Sequence, residues 1–402
     1  MSLKISSKSQ AMPASAIRKL VPFSDAAAAE GIKVYHLNVG APDIKSPDCA
    51  LAAVAEKCRT LHHVSYTNSA GLIELRKGMV EKYYKKIGIN IEVPEMLISV
   101  GGSESFAQAM QIVADPGDEI IVIEPYYTNY QTFAFLNGIT LKAVHTDIRE
   151  GFKVPDISEF EKLVTPHTKA VLISNPCNPS GKLFSKEEML AIGDFCKRHD
   201  MFLISDEVYR EFCYTDEPHF SAMNIPGCEQ NVILVDSVSK RYNLCGARVG
   251  CIASHNKDVM AAALKLAQSR LCPPLLEQYA AIGALDTPQS YFDEVKAEYI
   301  RRRDCAIEML NAIPGVYAPT PYGAFYTVAE LPVDDAEKFA KWMLTDFRID
   351  GETTMVTPAA SFYKTPGIKN HVRIAYVLEV PELKKALHIL AEGIKKYRAE
   401  QM

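Results

Sequence analysis

The chain has 402 residues, of which 48% are hydrophobic and 23% are charged. These fractions are ordinary for a globular protein, so a mainly disordered chain is excluded. The 44 Lys and Arg residues against 49 Asp and Glu residues give a net charge of −5, which argues against binding to nucleic acid or to an anionic membrane surface.

The ten cysteines are scattered along the chain, without a C-x-x-C pair or any zinc-ligand spacing. We therefore predict no metal site and interpret most of them as buried thiols in a reducing compartment. No apolar run approaches the roughly 18 residues of a membrane helix. The first 20 residues lack the apolar core of a secretory signal. We expect a soluble, cytoplasmic protein with no membrane partner.

Between residues 95 and 255, short apolar runs alternate with amphipathic stretches. The apolar runs are predicted as seven strands: Leu97–Val100, Glu119–Ile123, Thr140–Val144, Ala170–Ser174, Met201–Ser205, Asn231–Val235 and Arg248–Ala253. Helical patterns between them include Ser103–Ala114, Ser185–Arg198 and Lys257–Ser269. Continuous Val, Ile and Leu runs joined by helices are typical of a mostly parallel sheet covered on both faces. The sequence therefore predicts an α/β fold.

After residue 290 the pattern changes to mixed helices and strands. A long charged helix is predicted over Ser290–Asn311. It is followed by strands at Gly323–Ala329, Thr354–Thr357 and His371–Val377 and by helices at Asp335–Asp346 and Pro381–Lys396. The first 44 residues carry too few core positions to fold alone. We therefore predict a large domain over 45–289 and a smaller α+β domain formed by 1–44 and 290–402.

Ligands of an open α/β sheet bind beyond the carboxyl ends of its strands, so the residues after each run are the candidate site. The first run is followed by Gly101, Gly102 and Ser103 at a helix start, where free N–H groups favour a phosphate. An ordinary tight turn capped by Ser103 would explain the same residues. Tyr127 follows the second run, either as a partly buried packing residue or as a ring that stacks on a planar ligand.

Two Asn-Pro steps over residues 175–179 make a rigid loop after the fourth run. This loop aims Asn178 at an oxygen of a bound ligand. Asp206 follows the fifth run, either as the cap of a helix or as an anion that faces a cationic ring. The hydroxyl of Tyr209, three residues later, would lie beside it.

Lys240 follows the sixth run, with Ser237 before it and Arg248 after it. A lone lysine is usually a solvated surface charge, but hydroxyl and guanidinium groups together bind phosphate. An amine beside fixed positive charge can also act as a Schiff-base nucleophile. Ser237 and Lys240 match the S-x-x-K of penicillin-recognising enzymes, yet the S-D-N and K-T-G partners are missing from the chain. Arg373 is either solvated or a bidentate receiver for a carboxylate.

In their order and spacing, these residues resemble the class I/II, aspartate aminotransferase-like family of pyridoxal-phosphate-dependent enzymes of fold type I. The lysine signature of that family, S-x-S-K followed by G-x-R-x-G, is matched by Ser237 to Gly250. The similarity extends from Leu37 to Arg373. It implies pyridoxal 5'-phosphate as the cofactor, a mostly parallel seven-stranded sheet in the large domain, and a homodimer with its active site at the subunit interface.

The resemblance implies a role for each candidate residue. Lys240, Asp206 and Tyr209 would be catalytic: Lys240 would form the Schiff base and move the proton, and Asp206 would pair with the pyridine nitrogen. The remaining cofactor contacts would be made by Tyr127 and Asn178 at the ring and, at the phosphate, by Gly102, Ser103, Ser237, Arg248 and Tyr66 of the partner subunit. The substrate α-carboxylate would be bound by Arg373, with Asn178 and the backbone near Gly40.

We therefore predict an enzyme that moves an amino group from an L-amino acid to a 2-oxo acid. Aspartate is the leading candidate for the donor, and 2-oxoglutarate is the leading candidate for the acceptor. The resemblance implies ping-pong kinetics. The sequence does not identify the group that recognises the substrate side chain, so an aromatic, alanine or broad-specificity aminotransferase stays open, as does a β-lyase or decarboxylase on the same fold. A regulator that keeps the cofactor without turnover, or a cofactor-free structural protein, is disfavoured by the complete set of polar groups.

Overall fold

The structure is a computed structural model that describes residues 3–13, 15 and 17–401. Its strands, in chain order, are β1 (Lys33–His36), β2 (Met96–Val100), β3 (Glu119–Ile123), β4 (Thr140–Val144), β5 (Thr168–Ser174), β6 (Phe202–Asp206), β7 (Val232–Ser237), β8 (Val249–Ala253), β9 (Tyr326–Glu330), β10 (Glu352–Met355), β11 (Thr357–Pro358) and β12 (His371–Ala375).

The helices, again in chain order, are α1 (Ser7–Ala11), α2 (Val21–Ala29), α3 (Asp48–Thr60), α4 (Ile73–Gly78), α5 (Gly101–Val113), α6 (Asn129–Asn137), α7 (Ile157–Glu161), α8 (Lys186–Arg198), α9 (Val238–Arg241), α10 (Lys257–Ser269), α11 (Leu275–Ala284), α12 (Gln289–Asn311), α13 (Ala336–Thr345) and α14 (Val380–Gln401). Helix α4 continues into a π-helical turn over Met79–Tyr84.

Helix α8 shows how local sequence determines these bounds. The Ser185 hydroxyl accepts the Glu188 N–H at 3.2 Å, and the Glu188 carboxylate accepts the Ser185 N–H at 2.8 Å. This reciprocal capping box fixes the start of the helix. The buried residues Met189, Ile192 and Cys196 recur at intervals of three and four, so one face of α8 packs against the sheet.

All seven predicted runs are strands of one sheet, with bounds that differ by at most two residues. The strand order is β2-β8-β7-β6-β5-β3-β4. Strand β8 is antiparallel to both of its neighbours, and the other pairings are parallel. Buried apolar clusters cover both faces of the sheet. The prediction of a mostly parallel seven-stranded α/β sheet is therefore confirmed.

The C-terminal part contains a three-stranded antiparallel sheet in the order β11-β12-β9. All three predicted strands differ from the structure here, the one predicted over His371–Val377 only because it ends at Ala375. The strand predicted over Gly323–Ala329 begins only at Tyr326, because Ala324 has a φ of 55° and turns the chain. The strand predicted over Thr354–Thr357 is split, since β10 and β11 belong to different sheets and Val356 separates them.

The N-terminal segment is joined to the C-terminal part. Strand β1 pairs in parallel with β10, from Lys33 opposite Glu352 to His36 opposite Met355. A separate apolar cluster, distinct from those of the large sheet, combines residues of both segments. On this basis we propose the division into 45–289 and 1–44 with 290–402 as the domain organisation. None of the helices in the described part of the chain has the length and apolar character needed to cross a bilayer.

Candidate active site

A cleft of about 700 Å³ lies where the carboxyl ends of the central strands meet the N-terminal segment and the antiparallel sheet. This volume is typical of a small-molecule site. The structure brings together every predicted site residue except Tyr66 in its lining: Gly40, Gly102, Ser103, Tyr127, Asn178, Asp206, Tyr209, Ser237, Lys240, Arg248 and Arg373.

Lys240 lies in the short helix α9, which begins directly after β7. Its Nζ donates to the carbonyl oxygen of Gly40 at 2.7 Å and lies 3.5 Å from Sγ of Cys245. A Cβ at Gly40 would lie 1.8 Å from the Tyr326 hydroxyl oxygen, so only glycine fits there. The amine is therefore presented to the cleft between the large sheet and the N-terminal segment.

Asp206 is the last residue of β6 and is buried at the floor of the cleft. Its carboxylate accepts the hydroxyl of Tyr130 and, at 3.2 Å, the N–H of Val208. Burial raises the pKa of Asp206 to about 7, although the hydrogen bond from Tyr130 opposes the rise. A cationic ring opposite this carboxyl group would favour its ionised form. The residue thus suits a protonated pyridine nitrogen.

A phosphate-sized concavity is formed at the start of α5. Gly101 has a φ of 70°, and a Cβ there would lie 2.4 Å from Nη2 of Arg248. A Cβ at Gly250 would lie 2.6 Å from the backbone of Gly101, so two glycines allow β8 and α5 to approach closely. The exposed Arg248 guanidinium donates only to the Cys245 carbonyl, at 2.9 Å, within the described residues. With the first N–H groups of α5 it makes a site suited to a phosphate.

Ser237 belongs to the same concavity, and its hydroxyl lies 2.7 Å from that of Ser239. On the opposite wall, the Tyr209 hydroxyl lies 2.8 Å from the hydroxyl of Tyr326. The hydroxyl of Tyr127 accepts a hydrogen bond from Asn129 at 2.9 Å, and burial raises the pKa of Tyr127 to about 12. Burial also raises the pKa of Tyr209, so the hydroxyls of Tyr127 and Tyr209 remain neutral at physiological pH.

Arg373 on β12 is almost completely buried, with 2% of its surface exposed. Its Nη1 donates to Oδ1 of Asn178 at 3.2 Å, and its Nη2 donates to the Asn38 carbonyl oxygen at 2.6 Å. The Nε is buried without a hydrogen-bond partner. No carboxylate of the described residues forms an ion pair with this guanidinium. Because a buried charge without a counter-charge is costly, Arg373 suits an anionic ligand.

Tyr66 does not line the cleft of its own chain, and 80% of its surface is exposed. The structure also adds contributors that sequence reasoning missed, above all Tyr130, which binds Asp206, and Tyr326, whose ring lies 4.7 Å from the Arg373 guanidinium. Tyr130 could have been found as the next tyrosine after Tyr127. Tyr326 offered no such indication, since it lies in an ordinary apolar strand.

A seven-stranded, mostly parallel sheet with an arginine, a buried acid and a lysine amine around one cleft is typical of pyridoxal-phosphate-dependent enzymes of fold type I. The family model for aminotransferase class I and II matches residues 32–390. The chain therefore belongs to the class I and II aminotransferase family, whose members depend on pyridoxal phosphate. It is an aminotransferase.

Individual relatives agree with this assignment. The chain is 30% identical over 366 residues to an aspartate/prephenate aminotransferase of Thermus thermophilus, covering 90% of this chain and 91% of that protein. A solved aspartate aminotransferase from Thermus thermophilus with maleate superposes with a TM-score of 0.88 at 29% identity, covering 98% of this chain and 100% of the other. An alanine aminotransferase from Pyrococcus furiosus superposes with a TM-score of 0.88 at 28% identity, with the same coverage.

Proposed function

We propose that this aminotransferase takes the amino group of a dicarboxylic amino acid, with aspartate as the leading candidate, and passes it to 2-oxoglutarate in a ping-pong cycle. The observation that supports this substrate class is the charge of the cleft. Its described lining contains four cations, Arg18, Lys240, Arg248 and Arg373, and a single acid, Asp206. Such a cleft favours substrates with more than one negative charge.

Three of these cations have a use in any aminotransferase. Arg248 faces the phosphate concavity, Lys240 faces the cofactor aldehyde, and Arg373 suits the α-carboxylate of an amino acid. Arg18 is left over. It lies on the N-terminal segment at the rim of the cleft, and it forms no ion pair with any carboxylate of the described residues. A second carboxylate on the substrate would supply the missing counter-charge.

When bound, pyridoxal phosphate supplies the electron sink that makes the α-proton of an amino acid removable. We assign the remaining work to side chains of this chain. The Lys240 amine would take the proton from Cα of the substrate and pass it to C4′, the carbon of the cofactor aldehyde. The Asp206 carboxylate holds a proton on the pyridine nitrogen, and Tyr209 with Asn178 binds the phenolic oxygen of the ring.

The other residues bind and orient. Tyr127 would pack on the ring face, and the phosphate would be bound by Arg248, by Ser237 and by the N–H groups at Gly102 and Ser103. Arg373, with Asn178 and the backbone near Gly40, fixes the α-carboxylate so that the Cα–H bond faces Lys240.

We also propose a homodimer in which Tyr66 of the partner subunit completes the phosphate site. Two observations support this. Tyr66 exposes 80% of its surface, and Val64, two residues earlier in the chain, exposes 67%. Large apolar side chains clustered on a surface are typical of an interaction site.

The kinetic order of the reaction tests the proposal. Initial rates measured at several fixed 2-oxoglutarate concentrations, with aspartate varied, are expected to give parallel double-reciprocal lines. Aspartate alone should bleach the visible absorption of the holoenzyme and release one equivalent of oxaloacetate per active site. Intersecting lines would contradict the ping-pong cycle. Continuous release of pyruvate and ammonia without an acceptor would instead indicate a β-lyase.

The Arg18→Gln variant tests the substrate class. Loss of a charged hydrogen bond of about 1.5–3 kcal/mol should lower kcat/KM for aspartate by about tenfold to a hundredfold. The value for alanine, which has no second carboxylate, should stay unchanged. Lys19→Gln is the matched control, because Lys19 is the neighbouring cation and pairs with Glu337 instead of lining the cleft. Equal losses for aspartate and alanine would show that Arg18 does not recognise the side-chain carboxylate.

A further inference from the structure

A group of buried charges lies behind Lys240, on the side of α9 that faces away from the cleft. Asp236 and Arg241 flank the lysine, and both are buried. Arg241 donates from Nη2 to Oδ2 of Asp236, and its guanidinium lies 3.6 Å from the centre of the Tyr83 ring. The hydroxyl of Tyr84 donates to the same Oδ2 at 2.7 Å. None of these four residues lines the cleft.

Asp236 contacts both ends of the turn that carries Lys240. Its Oδ1 accepts the N–H of Ser237 at 2.6 Å, just before α9 begins, and its Oδ2 accepts Arg241, the last residue of α9. A helix of only four residues has no stability of its own, because the cost of ordering its first turn is not repaid. The carboxylate of Asp236 therefore bridges the two ends of this turn and stabilises it.

Burial of the Asp236 and Arg241 charges costs desolvation free energy, which indicates that the pair has a role other than stability. Burial alone would raise the pKa of Asp236, but Arg241 and Arg210 outweigh it and hold the pKa below its usual range. The carboxylate is therefore ionised. A buried ion pair of this kind contributes little net stability compared with apolar residues of the same shape, whereas it fixes one geometry. Tyr84, itself completely buried, adds a directional bond to that geometry.

We propose that Asp236 and Arg241 are positioning residues for Lys240, with Tyr84 as their support. The pair fixes the backbone of the turn over Ser237–Arg241 and so aims the lysine amine at the reacting atoms. The inference depends on the proposed role of Lys240, but not on which amino acid is the substrate. A displacement of the amine by about 1 Å is enough to cost about a hundredfold in rate.

The test compares holoenzymes that carry Asp236→Asn, Arg241→Met or Arg241→Lys. Asp236→Asn and Arg241→Met should lower kcat by about tenfold to a hundredfold while KM for aspartate changes by less than about threefold. Arg241→Lys keeps a cation opposite Asp236 and should recover most of the loss. In Asp236→Asn, the pH midpoint of the visible absorption should also move to lower pH, because Arg241 keeps its positive charge beside Lys240 and loses the nearer of its two carboxylate partners, while Glu211 remains at 3.4 Å.

Glu119→Gln is the control for lost stability. Glu119 pairs with Lys142 at 2.9 Å and is the first residue of β3, at the amino ends of the parallel strands, whereas the cleft lies at their carboxyl ends. This substitution should lower the melting temperature without moving kcat or the pH midpoint. If Asp236→Asn does not fold, Tyr84→Phe removes one bond to the same carboxylate and should lower kcat by about threefold.

Three results would overturn the proposal: an Asp236→Asn enzyme with wild-type kcat, equal losses in Arg241→Met and Arg241→Lys, or a Tyr84→Phe enzyme that is unchanged. Because the absorption midpoint requires bound cofactor but no turnover, it reports on Lys240 even if the proposed substrates are wrong. Failure of the substrate assignment is therefore distinguishable from failure of this inference.

Discussion

The Lys240→Ala variant is expected to lose transamination by a factor of about 10⁴ or more, because no other amine lines the described part of the cleft to take its place. Pyridoxal phosphate should still bind without a covalent bond, since Arg248, Ser237 and Asp206 are unchanged. Turnover with aspartate and 2-oxoglutarate, together with equilibrium dialysis of the cofactor, measures both parts of the expectation.

Two further measurements make this result specific. Lys182→Ala is the control, because Lys182 is also largely buried but pairs with Glu188 at 2.9 Å outside the cleft, and it should keep its activity. Borohydride reduction of the wild-type holoenzyme, followed by peptide mapping, should place the pyridoxyl group on the peptide that contains Lys240. A label on another lysine, or retained activity in Lys240→Ala, would refute the assignment.

Arg373→Ala is expected to weaken binding of the amino acid by about 2–5 kcal/mol, the loss typical of one partner of a buried charge pair. The guanidinium is already desolvated and held by Asn178 and Asn38, so little of its binding energy is spent on ordering. The dependence of the single-turnover rate on aspartate concentration gives the dissociation constant directly. Cofactor affinity should remain at the wild-type value.

Arg149→Ala is the matched control for this substitution. Arg149 pairs with Glu330 at the far end of the strand β9 and stacks on Tyr317, away from the cleft. Its removal should leave the affinity for aspartate unchanged. If Arg373→Ala altered only the affinity for the cofactor, then Arg373 would belong to the cofactor site and the α-carboxylate would be bound elsewhere.

The strands of the large sheet were predictable because most of them are continuous apolar runs buried on both faces, although the edge strand β4 is only partly buried. The direction of β8 was not predictable. Val249–Ala253 is as apolar as the parallel strands of the sheet, and apolar pattern alone does not distinguish the two directions of a buried strand. The split between β10 and β11 was missed for a similar reason: the chain changes sheets at Val356 without any turn residue to mark the change.

Within the site, most residues predicted from sequence lie at or after the ends of strands, such as Asp206 and Lys240, because the sheet brings strand ends together whatever the rest of the chain does. The residues that were missed act through contacts between distant segments. Arg18 lies on the N-terminal segment and Tyr326 on β9, and only the folded chain places them in one cleft. The role that we propose for Tyr66 requires a second subunit, so one chain alone does not show it.

The pairing of β1 with β10 has a consequence for biosynthesis. The seven strands of the large sheet span residues 96–253, so they leave the ribosome well before Arg373 does. Gly40 is translated early, but strand β1, which precedes it, gains its partner only when Glu352–Met355 emerges. Because domains fold during translation as soon as their residues are available, a nascent chain would hold the sheet first and a complete cofactor pocket last. On this order of folding, the cofactor binds only at the final stage of chain synthesis.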